Sequence, residues 1–163
     1  MSSVYCCLNM EVHEEVRRSR VLSVIQKMMD FALQIYKDNQ SNSPSKEQRQ
    51  EEFPLPVLLK VAVKYVVDQL KDSGVVKDYL NELHHPNRTE RLFNYLRHSF
   101  DICERDSINT SFIEWASMTC LIAAACFHVG GFEDATNIAV QVIYEICVRT
   151  NEYDEFKKLG CDI

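Results

Sequence analysis

Between Glu11 and Lys37 the residues Leu22, Ile25, Met29, Ala32, Leu33 and Tyr36 recur at steps of three and four. That period predicts one long helix with a single apolar stripe. Arg17, Arg18, Arg20, Lys27 and Asp30 fall elsewhere and form its polar surface. The pattern stops at Asp38. The fifteen residues from Asp38 to Glu52 carry no large apolar side chain, so they have nothing to bury and a flexible loop is expected there. Pro54 and Pro56 suit the first turn of a second helix, whose stripe is Leu58, Val61, Ala62, Tyr65, Val66 and Leu70 and whose end is expected at Gly74. A short third helix runs from Val75 to Leu83 and stops at His84-His85-Pro86. Asn87 and Glu90 have capping-box spacing for a fourth, with Leu92, Phe93, Leu96, Phe100 and Cys103 on one side.

The fifth segment, Phe112 to Val129, is the most apolar. From Trp115 to Phe132, 18 consecutive residues lack Asp, Glu, Lys and Arg, which reaches the lower edge of a membrane span. Ser117, Thr119, His128, the Gly130-Gly131 pair and several alanines argue instead for the central helix of a bundle. A sixth helix is expected over Ala135 to Thr150, with Ile138, Val142, Ile143, Ile146 and Cys147 inward and Asn151 at its end. A last short one, Glu152 to Leu159, carries Tyr153 and Phe156 and closes at Gly160. No fixed period repeats, so a solenoid is not indicated.

Composition narrows the function more than the fold. Four Gly and four Pro in 163 residues supply few tight turns, which favours an all-α chain in one domain. A net charge of −6 disfavours nucleic acid as a partner. Seven cysteines without a Cys-x-x-Cys spacing, and a first stretch with neither basic flank nor long apolar run, point to a reducing compartment and no secretory leader. Phosphate-binding loops, His-Glu-x-x-His and Gly-x-Ser-x-Gly are all missing. His84-His85 reads as a polar turn rather than a metal site, and Cys126 and His128 lie too far round a helix to act as a pair. No catalytic residue, metal or cofactor is expected.

The order of elements is a long helix, a long polar segment, an amphipathic helix, two shorter helices, an apolar central helix, a partner helix and a short aromatic one. It resembles the Bcl-2 family of apoptosis regulators. The closest residues lie near the C-terminus. Asn137-Ile138-Ala139-Val140 with Glu145 is similar to the family's sixth helix. Asn151-Glu152-Tyr153-Asp154-Glu155-Phe156-Lys157-Lys158-Leu159-Gly160 is similar to its second homology motif. Ser107 to Ile113 stands where the first homology motif opens the central helix; Asn109 is kept, while Thr110, Ser111 and Phe112 replace the family's Trp-Gly-Arg. Asn94-Tyr95-Leu96-Arg97 matches the same motif by residue type. In the family's death-motif position, Leu59 is followed by Val63 and Lys64 where glycine and aspartate would stand.

The resemblance implies a pro-survival member of viral type, with a surface groove for the amphipathic death-motif helix of pro-apoptotic proteins. The groove residues it implies are Tyr65, Val66, Leu70, Leu80, Phe93, Leu96, Phe100, Asn109 and Phe112, with Arg97 or Arg105 in place of the missing arginine. The implied setting is the cytoplasm and the surface of the mitochondrial outer membrane. Pairing of two copies across an uncovered groove is left open. The alternative is a membrane-inserting hairpin built from the fifth and sixth helices.

Overall fold

A computed structural model describes residues 2–41, 44–105 and 111–163. Among the described residues there are eight α-helices and no strand: α1 (Ser2–Asn39), α2 (Lys46–Glu52), α3 (Val57–Leu70), α4 (Gly74–Asn81), α5 (Arg88–Arg105), α6 (Phe112–His128), α7 (Ala135–Thr150) and α8 (Tyr153–Lys158). One 3₁₀ turn, Glu82–His84, leads from α4 towards α5. The all-α class therefore stands.

Helix α6 is the axis of the bundle. Ser111 caps it by accepting a hydrogen bond on Oγ from the Glu114 N–H at 3.1 Å. From Phe112 to Cys126 every residue except Glu114 and Met118 is buried. Its two buried hydroxyls are satisfied within the helix: Ser117 donates to the Ile113 carbonyl at 2.7 Å and Thr119 to the Trp115 carbonyl at 3.0 Å. Helices α1, α3 and α7 pack around it, and α5 lies mainly against α7. Among the described residues, no helix is long and apolar enough to cross a membrane.

The α6–α7 connection needs its two glycines for different reasons. A Cβ on Gly130 would stand 2.1 Å from Leu83 Cδ1 and 2.8 Å from the Cys126 carbonyl oxygen, so the close approach admits no side chain. Gly131 has open space but a φ of +64°, which L-residues rarely adopt. At the far end of α7, Asn151 takes the left-handed conformation (φ 55°) and stops the helix.

The core face of α3 is Leu59, Val63 and Val67, not the expected stripe through Leu58, Val61 and Tyr65. Three expectations about helix bounds are also corrected. Helix α1 starts at Ser2, not Glu11. The third helix starts at Gly74, because α3 has already ended at Leu70, with the Lys71 N–H bonded to the Val67 carbonyl. Most substantially, the polar segment from Asp38 to Glu52 is not a loop throughout, since Lys46–Glu52 is helical.

Helix α2 is held by polar groups rather than by apolar burial. The Asp38 side chain, 1% exposed at the end of α1, accepts from Gln34 Nε2 at 2.8 Å, Arg49 Nη2 at 2.9 Å and Gln50 Nε2 at 3.0 Å. On the other side, Lys60 Nζ of α3 donates to the carbonyls of Gln50 and Glu51 at the C-terminal end of α2. A cation there meets orphan carbonyls and the negative end of the helix dipole.

Candidate functional site

In α3 only Lys60, Lys64, Asp68 and Gln69 are polar. A helix that apolar cannot put every hydrophobic side chain on one side. Leu59, Val63 and Val67 face the core with no exposure, while Val57 (70%), Leu58 (57%), Val61 (60%) and Tyr65 (64%) face outward. The exposed set spans two turns of one helix. Contiguous apolar surface of this kind marks a contact site more often than a scatter of single residues does.

A cleft lies on each side of this ridge. One, of about 390 Å³, is formed with the start of α6 and with α8. Leu58, Val61, Ala62, Tyr65 and Val66 make its α3 wall, and Ile113 and Leu159 stand on the others. Its polar border comprises Ser111, Glu114, Glu155 and Lys158, the last two ion-paired at 3.4 Å. The other, of about 440 Å³, separates α3 from α2, with Phe31, Val57 and Val61 between Glu47, Glu51, Lys60 and Lys64. Val61 belongs to both.

Aromatic packing fixes the elements around the first cleft. Phe112, at the first turn of α6, meets the ring of Phe156 in α8 edge-on at 5.9 Å. Phe100 of α5 lies 4.9 Å from Trp115 in a T-shaped contact, and Trp115 Nε1 donates to Ser99 Oγ at 3.0 Å. The N-terminal part of α1 is tied to the same α8: Tyr153 donates to Glu14 Oε1 at 3.0 Å, and the Arg17 guanidinium sits over the Tyr153 ring at 4.4 Å.

The residues expected to form one groove are distributed over four places. Tyr65 and Val66 line the α3–α6–α8 cleft. Phe100 and Phe112 belong to the aromatic cluster and border a small pocket of about 110 Å³ beside it. Phe93 and Arg97 are on the face of α5 that meets α7: Arg97 Nη2 is 3.1 Å from Glu145 Oε2, and its guanidinium lies 4.9 Å from the centre of the Phe93 ring. Leu96 is core with no exposure, and Leu70 and Leu80 are half-buried against that core. Asn109 and the side chain of Arg105 lie outside the described residues. Arg97 is thus directed to α7 and away from Tyr65, because Glu145 offers it a carboxylate across the α5–α7 contact. The cation that does line the α3–α6–α8 cleft, among its described residues, is Lys158.

Leu58, Val61, Ile113 and Leu159 were not among the expected groove residues. A signal for the first two was available, since α3 has more apolar residues than one stripe can hold. Ile113 and Leu159 had none, because only the packing of α8 on α6 brings them to α3.

The nucleophilic side chains are chemically quiet. Burial pushes the thiols of Cys120, Cys126 and Cys147 up to about 12, so they are protonated and unreactive at neutral pH. His85 Nδ1 accepts from the Asn87 N–H at 3.1 Å and so serves the turn before α5. Among the described residues, no group of three His, Cys, Asp or Glu could hold a metal ion. No family model matches the chain, and neither a curated protein nor a solved structure matches it.

Proposed function

We propose that this protein is a receptor for amphipathic helices, and specifically a pro-survival apoptosis inhibitor that holds the death-motif helix of pro-apoptotic proteins against the outer face of α3. The observation that carries this reading is the exposed set Val57, Leu58, Val61 and Tyr65 on a helix whose opposite face is fully buried. A ligand helix with apolar residues at i, i+3/i+4 and i+7 presents a stripe of the same length to such a face. Val66, Ile113 and Leu159 give it depth on the α8 side. A ligand that is disordered when free must offset an ordering cost of roughly 2–5 kcal/mol, so extended apolar contact is needed and a shallow polar patch would not serve. Lys158, which pairs with Glu155 on the border of this cleft, would exchange that partner for a ligand carboxylate and so stand in for the family's missing arginine.

This role sets the protein at the cytoplasmic surface of the mitochondrial outer membrane, where such ligands act. A membrane-inserting hairpin of α6 and α7 is the weaker alternative. It would have to expose the most completely buried helix of the bundle and carry Asn137, Gln141 and Glu145 into lipid.

Calorimetric titration with death-motif peptides tests the proposal. Val61→Glu places a charge at the centre of the apolar face and is expected to weaken binding at least about tenfold, a change of about 1.4 kcal/mol. Arg97→Ala, on the α5–α7 face, should leave affinity unchanged. Loss of affinity with Arg97→Ala and none with Val61→Glu would move the site to the other side of the molecule.

A further inference from the structure

The first turns of α1 repeat the geometry of the α3 face with the charge reversed. Leu8, Val12 and Val16 stand at i, i+4 and i+8 of α1 and are exposed by 53%, 58% and 44%. Val57, Val61 and Tyr65 hold the same three positions of α3. Beside the first stripe, Glu11 and Glu15 occupy i+3 and i+7; beside the second, Lys60 and Lys64 occupy i+3 and i+7. At about 100° per residue, the charged pair falls on the same side of the stripe in both helices. Both stripes are exposed, so they do not meet within one chain.

We infer that the N-terminal part of α1 from a second copy of this chain docks antiparallel on the outer face of α3. The inference rests on reading that face as a helix receptor, and it names an occupant. Orientation follows from the flanks. Helices packed face to face bring like flanks together when antiparallel and opposite flanks together when parallel, so only the antiparallel arrangement sets glutamates against lysines. With Val12 opposite Val61, Leu8 meets Tyr65 and Val16 meets Val57. Glu15 then lies about 3 Å along the axis from Lys60, and Glu11 about 3 Å from Lys64, within side-chain reach.

The apolar stripes supply the affinity and the charges set direction. Lys60 already donates to the Gln50 and Glu51 carbonyls, which leaves Lys64 the more adaptable partner. Glu47 and Glu51 line the α2 wall beyond the lysines and moderate their field. In a two-fold pair both copies lend α1 to the partner's α3, so the contact is made twice and the interface is isologous as a whole. A second copy seated there competes with a ligand helix, so self-association holds the receptor closed until ligand displaces it.

Sedimentation equilibrium of the full chain over a wide concentration range tests this. Wild type is expected to self-associate reversibly. Val12→Glu and Val61→Glu, both at exposed positions, should each yield a monomer with an unchanged far-ultraviolet spectrum. Glu11→Lys should weaken association by about threefold, as for an exposed ion pair, and Glu11→Lys with Lys64→Glu should recover most of the loss. A wild-type monomer at every concentration overturns the inference, and peptide binding by that same monomer would leave the α3 receptor intact. Association lost with Val61→Glu but kept with Val12→Glu overturns the occupant alone. Association indifferent to both substitutions overturns the docking mode, and the peptide titration then decides the receptor separately.

Discussion

Trp115→Ala is expected to lower stability by about 3–5 kcal/mol, the range for removing a large aromatic side chain from a packed interior. Trp115 is 1% exposed, contacts Phe100 and Phe112, and donates its indole N–H to Ser99. Truncation opens a cavity at the point where α5, α6 and α8 are joined through their rings. For a chain of this size the loss corresponds to a fall in Tm of roughly 6–20 °C. Circular dichroism is the appropriate readout, because Trp115 is the sole tryptophan and tryptophan fluorescence disappears with it. Trp115→Phe keeps most of the ring contact and should cost clearly less. A fall of under about 1 kcal/mol with Trp115→Ala would mean that the cluster does not join these helices as described.

Asp38→Ala should cost about 1–3 kcal/mol, because the buried Gln50 amide then lacks its acceptor. The cost is not that of a fully buried ion pair. Arg49 is 46% exposed and regains water once the carboxylate is gone. Asp38→Asn keeps the shape and one acceptor and should fall between wild type and alanine. The larger consequence is local: with Asp38 removed, α2 is left with Lys60 at its end, and amide exchange over residues 46–52 should accelerate much more than exchange in α6 or α7. Unchanged exchange there would show that the Asp38 contacts do not hold α2.

Residues 38–52 also mark where reading the chain for apolar periodicity stops working. Helix α7 was legible to its last residue, since Asn151 ends a clear stripe and the Gly130-Gly131 pair isolates its start. Helix α6 was legible because a run so apolar can only be central or membrane-embedded. Helix α2 gave no such sign. Its attachment is a carboxylate with partners 11 and 12 residues on, and hydrophilic residues that satisfy one another in the interior look in sequence like residues that stay in water.

The site was harder to read for the same reason at longer range. Apolar residues of α3 were visible, but which of them face the core depends on how α3 sits on α6. The stripe through Leu58, Val61 and Tyr65 and the stripe through Leu59, Val63 and Val67 are equally regular in sequence; only the second is buried. Arg97 illustrates the opposite case. Its position in an Asn-Tyr-Leu-Arg run suggested a groove cation, yet its partner Glu145 lies 48 residues away on a helix that local sequence does not connect to it.

The most direct test of the account is to locate a bound death-motif helix on the protein by amide chemical-shift mapping. The prediction is that perturbations concentrate at Val57 to Val66, at Ile113 and at Leu159, around the exposed face of α3, with little change at Phe93, Arg97 and Gln141. Perturbations centred on those last three residues, with α3 silent, would contradict it and place the receptor surface between α5 and α7.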